Sequence, residues 1–169
     1  MQRLTHQDFR VMPWKNGGGT TTELLHLQDD EEETLFRLSR AQVSQHGPFS
    51  ILPGMERLLL VITGDGLQLE LSGELLELRP GDPPLRFAGE LSVYCDLIEG
   101  PVEDFNVMID RNYGSADLTV HNQSFTASPR AYVYFPQRHE LWVLSDEERV
   151  INLSDEMGIE VRVSVTDPH

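Results

Sequence analysis

Short runs rich in Leu, Val, Ile and Phe recur along this chain, cut apart by Gly, Pro, Asp or Ser, and no long amphipathic helix interrupts them. That rhythm belongs to strands joined by tight turns. The first runs, residues 20–27 and 36–44, are separated by the acidic stretch 28–34, which reads as a solvated loop. Residues 58–63 and 67–71 flank Gly64-Asp65-Gly66, a turn suited to a hairpin, and Ser72-Gly73-Glu74 leads into residues 75–78. After the turn Arg79-Pro80-Gly81-Asp82 the pattern continues through 85–87, 91–97 and 105–109. Shorter runs follow at 118–121, 131–135, 140–144, 149–153 and 159–165.

Alternation sorts the faces of these strands. Leu91, Val93, Cys95 and Leu97 point one way, and Ser92, Tyr94 and Asp96 the other. Phe105, Val107 and Ile109 likewise oppose Asp104, Asn106 and Met108, and the latter face is a candidate ligand wall. Ten or more short strands at this spacing predict a barrel or sandwich, since closure removes exposed strand edges. Asn112, Gly114 and Ser115 break the pattern. The expected organisation is a first barrel over residues 1–114 carrying the pocket and a smaller β-module over 115–169 packed on it, with no internal repeat to mark the division.

The chain has 169 residues and 39% hydrophobic content, enough for one substantial core or two small β-modules. Its 13 basic and 28 acidic side chains leave a formal charge of −15. Such a surface repels phosphates and anionic headgroups, so neither nucleic acid nor membrane is an expected partner. The N-terminal dozen residues are polar, and no segment approaches the ~20 apolar residues of a membrane span. The lone cysteine, Cys95, excludes an internal disulfide and a Cys-based zinc site, and reads as a small core residue. A cytoplasmic protein is expected.

The densest chemical signal is Pro13-Trp14-Lys15-Asn16-Gly17-Gly18-Gly19-Thr20-Thr21-Thr22-Glu23. Successive glycines let backbone N–H groups converge on an anion, with Lys15 adding charge; the same glycines also suit a plain flexible loop or bulge. It is not a phosphate-binding P-loop, because the lysine precedes the glycines and no helix follows. Arg57 opens an otherwise apolar strand, which places its guanidinium at a barrel mouth where it can clamp a carboxylate, or else in an ion pair with Glu56 or another acid. Arg37 and Ser39 share a face with Ala41 and Val43, lining either a lumen or the solvent side. The histidines, His6, His26, His46, His121, His139 and His169, form no His-x-His pair, and no Gly-x-Ser-x-Gly elbow is present. No metal and no other cofactor is expected.

Three segments in order, Trp14 to Glu23, Gly47-Pro48-Phe49-Ser50-Ile51-Leu52-Pro53-Gly54-Met55-Glu56-Arg57, and Gly100-Pro101-Val102-Glu103-Asp104-Phe105-Asn106-Val107-Met108, resemble the signatures of the HutD/Ves family, and Arg37-Leu38-Ser39 fits its second strand. The resemblance covers about residues 8–115 and is looser beyond Asp117. It implies an all-β double-stranded β-helix, a bicupin with a shortened second module and without the usual cupin metal. It further implies a protein associated with histidine utilisation that binds a small anionic metabolite such as urocanate or a formylated glutamate, with a homodimer allowed. Carried onto this sequence, the pocket comprises Lys15, Asn16, Gly18, Thr20, Glu23, Arg37, Ser39, Arg57, Asp104 and Asn106. Lys15 or Arg57 would meet a carboxylate, Asn16 and Asn106 an amide or formyl group, and Glu23 or Asp104 an N–H.

Two other classes compete with a binding protein. A metal-independent isomerase, epimerase or hydrolase would use Glu23 or Asp104 as general base and Arg57 to stabilise negative charge. An acidic interaction module would instead dock a basic partner, with steep salt dependence.

Overall fold

The computed structural model describes residues 1–166, so His169 lies outside the described residues. The chain divides into two compact units, Arg10–Tyr113 and a second formed by Met1–Phe9 with the chain from Gly114 onward. In chain order the strands are β1 (Gln2–Leu4), β2 (Arg10–Pro13), β3 (Gly19–Gln28), β4 (Thr34–Val43), β5 (Gly47–Pro48), β6 (Met55–Thr63), β7 (Leu67–Leu71), β8 (Glu74–Leu78), β9 (Leu85–Ala88), β10 (Val93–Leu97), β11 (Val102–Asp110), β12 (Gly114–His121), β13 (Phe125–Ala127), β14 (Tyr132–Phe135), β15 (Glu140–Val143), β16 (Arg149–Ile151) and β17 (Gly158–Val165). No helix occurs among the described residues, so none is long and apolar enough to cross a membrane.

In the Arg10–Tyr113 unit a six-stranded sheet runs β2-β3-β4-β11-β6-β9 and a four-stranded sheet runs β5-β10-β7-β8, with antiparallel pairing throughout. Their facing residues make one core. Val43, Leu59, Val61, Phe87 and Val102 from the first sheet meet Leu67, Leu69, Leu78, Val93 and Cys95 from the second. Cys95 is a buried core thiol, and burial pushes its pKa up to about 12. At the predicted hairpin, Gly64 and Gly66 both have positive φ, and a Cβ on Gly66 would come within 2.7 Å of the Leu78 carbonyl oxygen.

The second unit contains a five-stranded sheet, β1-β15-β14-β17-β12, and the pair β13-β16. Residues 1–9, expected with the first barrel, belong here because β1 pairs with β15, Leu4 opposite Leu141 and Arg3 opposite Trp142. Arg3 also lies 3.7 Å from Glu140 and over the Trp142 ring at 4.9 Å. Three residues of strand with polar neighbours carry too little alternation to announce themselves. The core of this unit gathers Ala127, Ala131, Val133, Phe135, Leu144 and Ile151.

Beside that core lies a buried carboxylate, Glu160, only 3% exposed. The Ser128 backbone N–H donates to its Oε2 at 2.9 Å, and Arg162 Nη1 donates to its Oε1 at 2.9 Å. His121 Nε2 sits 3.0 Å from Oε1, with its ring stacked on Phe125 at 3.6 Å. Although burial opposes ionisation, these donors together hold Glu160 below the usual carboxylate range. Glu160→Ala leaves the Ser128 N–H without its acceptor, and a loss of roughly 1–3 kcal/mol in unfolding free energy is expected, measurable by urea denaturation.

Candidate functional site

The pairing register of the six-stranded sheet assembles one mixed polar face. Glu23 stands opposite Ser39 and Thr21 opposite Ala41, while on the other side of β4 Met108, Asn106 and Asp104 oppose Arg37, Ser39 and Ala41. On β6, Arg57, Leu59 and Val61 oppose Met108, Asn106 and Asp104, and Phe87 on β9 opposes Arg57. Directly opposed residues in an antiparallel pair point to the same side, so all these side chains share one face. Toward Val61 and Leu59 that face enters the apolar core. Around Arg37, Ser39, Arg57, Asp104 and Asn106 it instead lines a cavity of about 510 Å³.

Seven of the ten expected pocket residues line this cavity: Lys15, Asn16, Arg37, Ser39, Arg57, Asp104 and Asn106. Gly18, Thr20 and Glu23 do not. Thr20 falls on the opposite side of β3, and its neighbour Thr21 takes the lining position while accepting a 2.7 Å hydrogen bond from Trp14 Nε1. Glu23 shares the face but pairs with Arg37, its Oε2 lying 3.0 Å from Nε, and with His26 at 3.7 Å. The glycine turn is closed on itself. Gly17 N–H donates to the Trp14 carbonyl and Gly18 N–H to Asn16 Oδ1 at 2.8 Å, so these amides do not form the anion nest that their sequence allows. What the turn presents to the cavity is Trp14, Lys15 and Asn16.

Arg57 lies deeper than a barrel mouth, with 6% of its surface exposed. Parity turns Glu56 away from it, and Glu56 faces Arg111 instead at 3.9 Å. The Arg57 guanidinium lies over the rings of Phe87 and Phe49, at 5.0 and 5.6 Å, and donates through Nη1 to the Ser50 carbonyl at 3.2 Å. Its Nε is buried without a hydrogen-bond partner. Desolvation lowers its pKa to about 10, opposed by the charge of Asp104, so it remains cationic at neutral pH.

Asp104 is 2% exposed and accepts a 2.7 Å hydrogen bond at Oδ1 from Asn106 Nδ2. Burial pushes its pKa up to about 7, against the opposing pull of Asn106, Arg57 and the Ala41 N–H. The cavity wall thus carries three cations, Lys15, Arg37 and Arg57, against one carboxyl group, with Trp14, Phe49, Leu52 and Met108 supplying apolar area. Such a wall suits a small acid with a planar or short apolar body. Phe49, Ser50 and Leu52 come from the irregular segment after β5, where no periodicity marks an inward-facing residue. Thr21 was recoverable by counting two residues back from Glu23. Among the described residues no group of three His, Cys, Asp or Glu side chains converges to hold a metal ion.

The HutD family model matches residues 6–160. An uncharacterised 21.2 kDa protein from the hutC 3′ region of Pseudomonas putida is 36% identical over 141 residues, 78% of this chain and 68% of that protein. Protein Ves of Citrobacter koseri is 32% identical over 127 residues, 73% of this chain and 66% of Ves. The alignments therefore span about two thirds of these curated relatives. Among solved structures, HutD from Pseudomonas fluorescens, in a formate condition, superposes with a TM-score of 0.80 at 26% identity, covering 98% of this chain and 99% of that one. A conserved protein of unknown function from Pseudomonas aeruginosa shares the fold, with a TM-score of 0.81 at 23% identity over 96% of this chain and 97% of that one. The all-β, cupin-like fold expected from the sequence is the one observed.

The raised Asp104 pKa links stability to pH. A carboxyl that titrates near 7 when folded and near 3.8 when unfolded binds more protons in the native state between those values. Its contribution is fully present below about pH 4 and is lost as pH rises to about 7. Asp104→Asn, which keeps the shape and the Asn106 contact without the charge, is expected to be more stable than wild type above pH 7 and to lose this part of the pH dependence. Thermal unfolding of both proteins between pH 5 and 8.5 checks it.

Proposed function

The chain belongs to the HutD family, and from that premise we propose that it is a receptor for a small amino-acid-derived acid, of the urocanate or formylglutamate type, which it senses to moderate histidine utilisation. The observation that carries this reading is Arg57: a buried guanidinium on a cavity wall, held by two aromatic faces and one carbonyl. A ligand carboxylate in the cavity gives this cation a hydrogen-bonding counter-charge. The hutC 3′ region position of the Pseudomonas putida relative supports the histidine connection.

A second reading rests on Asp104. A carboxyl titrating near neutrality beside a buried cation suits general acid–base chemistry on the same ligand, with Arg57 stabilising negative charge. Product analysis on any acid that binds separates an enzyme from a receptor.

The test is a thermal-shift panel of urocanate, N-formylglutamate, formiminoglutamate, histidine and glutamate. A ligand at 100 times its Kd stabilises the fold by about 2.7 kcal/mol, which for a chain of this size is a rise of roughly 5–10 °C. Arg57→Met, which keeps the apolar stem, should weaken binding by more than about 30-fold, the lower end of what loss of a buried charge partner costs. Failure of every acid to shift the wild type refutes the small-acid reading.

A further inference from the structure

Resting on the small-acid reading, we propose that Asp104 restricts this cavity to acids that carry no cation of their own, by entering the complex as a carboxylic acid and taking up a proton as the ligand's carboxylate settles on Arg57. The charges facing Asp104 give the reason. Arg57 reaches the cavity from β6, Arg37 from β4 and Lys15 from the β2–β3 turn. Glu23 on β3 is engaged with Arg37 and His26 and is not a lining residue. Cys95 on β10 feels the Asp104 charge but stays a neutral thiol. Asp104 is therefore the lining carboxyl, and with its pKa pushed up to about 7 it can change its charge near neutral pH to accommodate an incoming anion.

In the free protein the Arg57 charge favours the ionised form of Asp104, and burial opposes it more strongly. A ligand carboxylate on Arg57 divides that cation between two anions and adds a like charge inside a buried site. The lower-energy complex has one anion and one carboxylic acid. Asn106 already donates to Asp104 Oδ1 and the Ala41 N–H also donates to this carboxyl, so the proton taken up sits on an oxygen lone pair these donors leave open and is donated to a carbonyl or second carboxylate oxygen of the ligand. An ammonium-bearing acid acts in the opposite sense. It would pair with ionised Asp104 and release a proton, and its cation would have to lose water beside Lys15, Arg37 and Arg57.

Isothermal titration calorimetry with N-formylglutamate and glutamate as probes distinguishes the two. Wild type is titrated in phosphate and Tris at several pH values from 6.5 to 8.5, so that the buffer ionisation heat counts protons. Net uptake of up to one proton is expected with N-formylglutamate, with affinity falling toward tenfold per pH unit above 7, and at least tenfold weaker binding of glutamate. Asp104→Asn should abolish both the uptake and the pH dependence. Tight binding of N-formylglutamate with no proton uptake overturns this proposal and leaves the small-acid reading standing. Proton release with a preference for glutamate also overturns it, by making Asp104 the partner of an ammonium. If neither probe binds at any pH, and none of the wider panel does, both readings fall together.

Discussion

A guanidinium held inside an apolar barrel is the costly element around which this structure is arranged. Taking a cation out of water costs several kcal/mol unless its surroundings replace the lost hydration. Here the replacement is partial: two ring faces, one carbonyl at 3.2 Å and the charge of Asp104. Phe49 can serve because its own N–H donates to the Val93 carbonyl, which ties the segment after β5 to the four-stranded sheet. The register of β9 against β6 brings Phe87 beside Arg57. Stability alone would favour an apolar residue of similar volume at position 57. Retaining a charge with an unpaired Nε is a departure from good packing of the kind that binding sites make.

How much of this the sequence reveals depends on whether strand parity applies. Where strands are long, it does. Arg37, Ser39, Asp104 and Asn106 lie on the wall because counting by two from apolar neighbours puts them there, and the same count separates Arg57 from Glu56. Thr20 shows the cost of reading a motif by composition: it belongs to the dense segment, yet its neighbour Thr21 shares the face of Ala41. The glycine run misleads in another way. Glycines that could open their amides to an anion spend them on Trp14 and Asn16, and only the fold shows which use prevails. Phe49, Ser50 and Leu52 follow a two-residue strand, so periodicity says nothing of them.

Charge clusters are equally hard to see along a chain. The sequence contains no basic run, yet Arg3, Arg138 and Arg149 all place their guanidinium groups over the Trp142 ring, at 4.9, 5.6 and 5.7 Å. They come from β1, the segment before β15, and β16. Arg3 and Arg138 are also matched by acids, Glu140 and Glu156. Of the three, Arg3 lies on β1, and its contacts with Trp142 and Glu140 add to the β1–β15 pairing in holding this three-residue strand at the edge of its five-stranded sheet.

The cavity and the surface carry opposite electrostatic characters, and the two act at different ranges. A formal charge of −15 disfavours the approach of any anion, but in salt that effect decays over about 8–10 Å. Lys15 and Asn16 sit at the exposed β2–β3 turn, at the edge of that field; Arg57 and Asp104 line the same cavity but are buried, where screening is weak. On the small-acid reading proposed above, affinity is set by the buried pair and encounter by the rim. The overall acidity is compatible with the anionic ligand proposed above, because Lys15, Arg37 and Arg57 gather on one cavity wall against a single carboxyl group.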